Sequence, residues 1–180
     1  EDFDLGWTPN STDAQQKRYR FGNQPQIALW NLVQLANAIY PLVNDAEPFE
    51  KALDTYKEQY LEKRLSMYKA KLGLVGSSDK DKVLVESLEE VLQLTEVDYT
   101  IFFRMLADIK KGENERLSLE YLKKAFYKPN ELKGEILESW EMWLSAYTSR
   151  LDLESRSDEE RRSAMNSVNP KYVLRNYMAQ

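Results

Sequence analysis

From Pro25 onward the apolar positions recur at helical spacing. Ile27, Trp30, Leu32, Leu35, Ala38 and Ile39 form a first run. It opens on a proline, whose missing N–H costs nothing in a first turn, and is expected to close at Pro41. A longer helix follows Asp45, with Phe49, Leu53, Tyr56, Tyr60, Leu65, Tyr68 and Leu72 on one broad face and Glu58, Lys63 and Lys69 off it. Gly73 or Gly76 should stop it.

Ser78 with Asp81 and Thr95 with Asp98 have the spacing of capping boxes ahead of apolar runs. They predict helices over 79–94 and 97–110, with Leu84, Leu88, Val91 and Leu92, then Ile101, Phe102, Met105 and Leu106, turned inward. A short helix is expected over 118–127. Asn130 should cap a long one through Ile136, Leu137, Trp140, Trp143, Leu144, Tyr147 and Leu151. Ser157 with Glu160 predicts another capped helix, and Asn169-Pro170 is expected to start a last one. With no hairpin signal and no useful alternation, the class is all-α: an irregular arm over 1–24 followed by a multi-helix bundle over 25–180. Both ends fall where an intact element or loop would continue, so the chain is expected to be a fragment of a longer protein.

Composition narrows the chemistry. Among 180 residues, 42% are hydrophobic and 31% charged, with 25 Lys and Arg against 30 Asp and Glu. A net charge of −5 argues against nucleic acid or an anionic membrane as partner. The chain contains no Cys and no His. This excludes disulfides, thiolate nucleophiles, Cys/His zinc sites and imidazole-based triads. The longest uncharged stretch runs from Phe21 to Asn44, and its apolar part, Ile27 to Val43, is interrupted by Asn31, Gln34, Asn37 and Pro41 and falls short of the ~20 apolar residues of a membrane span. It is read as a core helix. No basic leader precedes it, so no targeting segment is expected.

Three constellations have plain structural explanations. Asp79-Lys80-Asp81 lacks the glycine and later glutamate of a calcium loop and suits a helix N-terminus. Glu138 and Glu141 beside Trp140 and Trp143 imitate a glycosidase pair, yet Trp140, Trp143 and Tyr147 have the spacing of a core stripe. Arg156, Arg161, Arg162, Lys171 and Arg175 outnumber three acids over 156–180 and are read chiefly as surface pairs. The opening segment differs. Trp7 to Asp13, then Lys17-Arg18-Tyr19-Arg20-Phe21, mixes aromatics, hydroxyls and cations in a long irregular stretch, whose length is expected either of a functional or docking loop or of a passive arm.

Two stretches resemble the selenoprotein O family. One is Gly6-Trp7-Thr8-Pro9-Asn10-Ser11-Thr12-Asp13, continuing through Arg18-Tyr19 and Asn23-Gln24-Pro25 to Leu29-Trp30-Asn31-Leu32. The other runs from Asn169-Pro170-Lys171-Tyr172-Val173-Leu174-Arg175-Asn176 to Gln180. The resemblance implies a protein-kinase-like fold that transfers AMP from ATP to Ser, Thr or Tyr hydroxyls of proteins with a divalent metal such as magnesium. It makes 1–24 the counterpart of an activation segment, and 25–180 part of the lower lobe and C-terminal helical extension. Trp7, Asn10, Asp13, Arg18, Tyr19 and Gln24 become candidates for the acceptor groove, with Arg18 and Tyr19 anchoring the loop. Pro25, Trp30, Asn31, Asn169, Pro170, Tyr172, Arg175 and Asn176 become structural signature positions.

The resemblance places the family's phosphate-binding, catalytic and metal-binding residues before Glu1. No catalytic, cofactor-binding or metal residue carries over, and ATP and magnesium are implied for the full-length protein alone. Where some members carry a Cys in the arm, this chain reads Thr8-Pro9-Asn10. The implied partners are the missing N-terminal catalytic lobe and acceptor proteins, and the implied compartment is bacterial cytoplasm or mitochondrion. Loss of a lobe would expose an apolar face and favour a homodimer. The rival reading is a stand-alone helical interaction module without catalysis.

Overall fold

Where helical spacing is strongest, the chain is helical. The computed structural model describes residues 2–8, 12 and 15–174. Among them run α1 (Gln24–Val43), α2 (Glu47–Leu72), α3 (Asp81–Val91), α4 (Tyr99–Leu106), α5 (Glu115–Leu122), α6 (Gly134–Leu151) and α7 (Asp158–Val168). Short 3-10 turns lie at Phe21–Asn23, Lys123–Ala125 and Pro129–Glu131. No strand occurs among the described residues; a single isolated bridge pairs Val97 with Phe126. The all-α expectation holds. The chain forms two compact units, Asp4–Arg64 and Glu1–Phe3 with Leu65–Gln180, the division falling within α2.

The deep core lies in the larger unit and is built on α6, which packs against α3 and α5. Trp140, Trp143, Leu144, Tyr147 and Leu151 are all buried, as the predicted stripe requires. Phe126 meets the Trp140 ring edge-on at 5.1 Å, and Trp143 stacks on Tyr147 at 5.3 Å. Two of the three polar tips are satisfied in the core, whereas the buried Trp140 Nε1 has no hydrogen-bond partner among the described residues. Trp143 Nε1 donates to the Leu84 carbonyl at 3.1 Å, and the Tyr147 hydroxyl donates to the Leu72 carbonyl at 2.9 Å. Leu84, Leu88, Val91 and Leu92 face this layer, as do Phe102 and Leu106. On α4, Phe103 is buried and Ile101 exposed, the reverse of the expectation for Ile101.

The helix boundaries show which predicted caps form. Ser157 and Glu160 make the reciprocal box. Asp98, not Thr95, caps α4 by accepting from the Thr100 and Ile101 N–H groups, while the Thr95 hydroxyl donates to Glu131 at 3.2 Å. Ser78 lies two residues before the N-cap position Lys80, and Asp81 reaches back to the Ser78 N–H at 3.0 Å. Asn130 sits in the 3-10 turn Pro129–Glu131, and α6 starts only at Gly134. Asn169 ends α7, and residues 170–174 are not helical. Its extended backbone suits a residue before proline, but its side chain is engaged in tertiary bonds, so the predicted last helix does not start there.

The smaller unit corrects two further expectations. Pro41 lies inside α1 instead of ending it, and α1 contains no buried residue. Leu29, Val33 and Ala36 are half-buried, whereas Trp30, Leu32, Leu35 and Ala38 of the predicted inward face are exposed. On α2, Phe49, Leu53, Tyr56, Tyr60 and Leu65 are half-buried, and only Tyr68 and Leu72 are buried. The period is right; the depth is not.

Two guanidinium groups tie the larger unit together. Buried Arg150 donates to Asp81 and Glu154, each at 2.7 Å, and to the Gly76 carbonyl at 2.9 Å. Lys69 approaches the other Asp81 oxygen at 3.2 Å, and Glu154 accepts from the Val75 N–H. Burial alone would raise the Asp81 carboxyl, but hydrogen bonds from Arg150, the Ser78 N–H and Lys69 outweigh it and hold the group below its ordinary 3.8. Arg161, read from sequence as a surface cation, is fully buried and donates to the Ile109 carbonyl, Tyr147 and Met165. Arg162, by contrast, makes the expected surface pair, with Asp108 at 2.7 Å.

Arg150→Ala leaves buried Glu154 without its cation and Asp81 with Lys69 alone, and should cost about 3–5 kcal/mol, read as a lowered urea midpoint. Asp81 contributes stability that is complete above its unfolded value and lost as pH falls through the depressed native one. Asp81→Asn should therefore flatten the acid limb of a stability–pH profile below about pH 4. Gly73 has φ +74°, and a Cβ there would lie 2.7 Å from Arg161 Cγ and 2.8 Å from Met165 Sδ. Gly73→Ala should destabilise by about 1–3 kcal/mol or more, measured by thermal unfolding.

Candidate functional site: a strapped aromatic arm

The irregular arm is held by backbone bonds at its two ends. The Phe21 N–H donates to the Trp7 carbonyl at 2.8 Å and the Gly22 N–H to the Leu5 carbonyl at 2.9 Å, which places 5–7 beside 21–22. Gly22 is needed for that approach, since a Cβ there would meet both the Cβ and the carbonyl oxygen of Leu5 at 3.0 Å. Gly6 N–H donates to the Asp4 carboxylate at 2.7 Å.

The start of α1 then reaches back. Asn23 Nδ2 donates to the Arg18 carbonyl and Gln24 Nε2 to the Tyr19 carbonyl, both at 2.6 Å. The Arg18 guanidinium lies 4.1 Å from the centre of the Trp30 ring and 5.7 Å from that of Tyr19. The Pro25 carbonyl accepts from the Tyr56 hydroxyl at 3.1 Å, fixing the first turn of α1 to α2. Trp7, Tyr19, Phe21 and Trp30 all remain 38–51% exposed. The arm therefore presents cations and aromatic rings on a backbone held at both ends.

Of the candidates, Arg18, Tyr19 and Gln24 come together with Pro25 and Trp30, and Trp7 is bonded to the same strap. Asn31 is exposed on α1. Asn10, Asp13, Arg175 and Asn176 lie outside the described residues. Asn169 is buried in the larger unit, where its amide donates to the Lys71 carbonyl at 2.9 Å and accepts from Lys71 Nζ at 3.0 Å. Pro170 and Tyr172 are exposed, with Lys171 Nζ 5.2 Å from the Tyr172 ring centre.

Sequence reasoning missed the setting of Asn169. Arg104 donates to the Asn166 and Asn169 carbonyls, and Lys71 lies 4.6 Å from the Phe103 ring centre. Burial pushes the Lys71 ammonium below its ordinary value. Phe3 was also unforeseen: it is buried and stacks on Tyr99 at 5.4 Å. No periodic signal marks a lone residue in an irregular stretch.

The carboxylates that imitate a glycosidase pair have ordinary surroundings. Glu138 is exposed, and Glu141 pairs with Arg116 at 3.2 Å. Among the described residues, no group of three or more acidic side chains is assembled to hold a metal ion. No described helix is long and apolar enough to cross a membrane.

An all-helical chain preceded by a strapped aromatic arm is the class of architecture defined here. The chain belongs to the family described as protein adenylyltransferase SelO, whose family model matches residues 1–180. It is 54% identical over 180 residues to the protein nucleotidyltransferase YdiU of Flavobacterium johnsoniae, covering all of this chain and 34% of that relative. Proteins of the same description from Aromatoleum aromaticum and Rhodopirellula baltica are 49% and 47% identical, again over the whole chain and 34% and 35% of their own length. The chain thus spans about a third of the curated relatives it matches.

If the Arg18–Trp30 contact holds the strap, Trp30→Ala should remove a contact worth about 0.5–1 kcal/mol. Amides of residues 15–23 should then exchange a few-fold faster by hydrogen-exchange mass spectrometry, while those of α6 remain unchanged. Equal rates across 15–23 would show that the backbone bonds alone suffice.

Proposed function

We propose that the chain is the C-terminal helical part of a protein AMPylase, which transfers AMP from ATP to Ser, Thr or Tyr hydroxyls of acceptor proteins. The observation that carries this reading is the match of the whole chain to the adenylyltransferase family, coupled with its coverage of one third of the relatives' length. In such a reaction an acceptor hydroxyl oxygen attacks the α-phosphorus, pyrophosphate leaves and the hydroxyl proton passes to a base. Positioning of phosphates and metal dominates chemistry of this kind. On this reading no chemical step is assigned to these residues, and ATP and magnesium are bound by the remainder of the protein.

The role of this chain is support and acceptor binding. The larger unit provides a rigid helical base. The arm offers Trp7, Arg18, Tyr19 and Trp30 to an acceptor polypeptide near its target hydroxyl, and Gln24 and Asn23 keep the strap in place. The full-length protein, incubated with ATP, magnesium and an acceptor protein, should add adenylate detectable by mass spectrometry. Arg18→Ala should raise the acceptor KM about two- to fivefold, the equivalent of one exposed cation–π contact, with the KM for ATP unchanged. Absence of both nucleotide binding and adenylate transfer would instead favour a non-catalytic helical interaction module.

A further inference from the structure

Between Asp13 and Asp45 the sequence has no acidic residue, and its charges there are Lys17, Arg18 and Arg20. In a chain of net charge −5 this is a local excess of positive charge. The backbone gathers it. The Arg20 N–H donates to the Lys17 carbonyl at 3.1 Å, closing a turn, and the Asn23 N–H donates to the Arg20 carbonyl at 2.9 Å. The three cations therefore stand on one turn, with Arg20 Nη1 also donating to the Lys17 carbonyl at 3.3 Å. Lys17 and Arg20 are exposed and Arg18 is half-buried. Among the described residues none of the three is paired with a carboxylate. Acids of the same unit are engaged elsewhere: Asp4 accepts from the Gly6 N–H, Asp45 from the Glu47 N–H and Asp54 from Lys57.

Arg18 is the most informative of the three. Its guanidinium rests over the Trp30 ring at 4.1 Å, and its N–H groups find no acceptor among the described residues. A guanidinium supported by a ring keeps donors that can take a carboxylate two at a time. We infer that the Lys17–Arg20 turn selects acceptor proteins by charge: the segment carrying the target hydroxyl is acidic, and its Asp or Glu side chains pair with Lys17, Arg18 and Arg20. The rings of Trp7, Tyr19 and Phe21 beside them accept many side chains and discriminate little. The cations supply the discrimination, attracting carboxylates and repelling Lys or Arg. A nucleic acid is the poorer occupant, because three cations neutralise few phosphates and the rest of the chain carries a net negative charge.

The inference rests on reading the arm as an acceptor-binding element, and its test separates binding from catalysis. Fluorescent peptides share one serine and differ in the residues flanking it, which are all glutamate, all glutamine or all lysine. Binding to the full-length protein is followed by fluorescence anisotropy without ATP, and adenylate transfer to the same peptides by mass spectrometry with ATP and magnesium. The glutamate peptide should bind about three- to tenfold more tightly than the glutamine peptide, the range of a few exposed ion pairs, with the gain lost at about 0.5 M salt. Lys17→Gln with Arg20→Gln should bring those two peptides level, and Lys17→Glu with Arg20→Glu should make the lysine peptide the best bound. Equal binding of all three peptides to the unaltered protein overturns the inference. So does a glutamate preference that survives both double variants, or displacement of the glutamate peptide by a lower concentration of single-stranded RNA. Glutamate-selective binding without adenylate transfer keeps the acidic-segment site and removes the AMPylase reading, whereas transfer without charge preference does the reverse.

Discussion

A guanidinium taken out of water must find acceptors for its N–H groups, and in the larger unit that demand sets the register of the helices. Arg150, on α6, spends its donors on Asp81 at the start of α3, on Glu154 beyond its own helix and on the Gly76 carbonyl in the connection after α2. Lys69 closes the same cluster from α2. Such a network adds little net stability over a well-packed apolar alternative, because desolvation offsets much of the attraction. Here it joins α2, α3 and α6 through buried groups that a slipped arrangement would leave unpaired.

Arg161 repeats the device from α7. Its guanidinium reaches the Ile109 carbonyl after α4 and the Tyr147 hydroxyl on α6, and Tyr147 in turn donates to the last carbonyl of α2. Gly73 completes the fit, since its left-handed backbone leaves room for the Arg161 and Met165 side chains where a Cβ would collide. Four helices therefore converge on one buried polar chain beside the Trp140–Trp143–Tyr147 aromatic layer.

The smaller unit is built on the opposite principle. Its arm is held by a few backbone and amide bonds and by one cation over an indole, while α1 contains no buried residue.

Periodicity along the chain was enough to establish the helical class and the stripe Trp140, Trp143, Leu144, Tyr147, Leu151, because burial at i, i+3, i+4 and i+7 follows from helix geometry alone. It was enough, too, for the Ser157–Glu160 cap, whose two bonds are local. The arm was legible as composition, and the pairing of Arg18 with Trp30 was not, because cation and ring lie twelve positions apart across a turn. Asn169 looked like a helix start, and Arg161 like a surface charge. Only the fold decided that the first would bond Lys71, nearly a hundred residues away, and that the second would be buried. Side chains that can serve either a local cap or a distant partner are settled by which neighbours the packed helices bring within 3 Å, and no local pattern contains that distance.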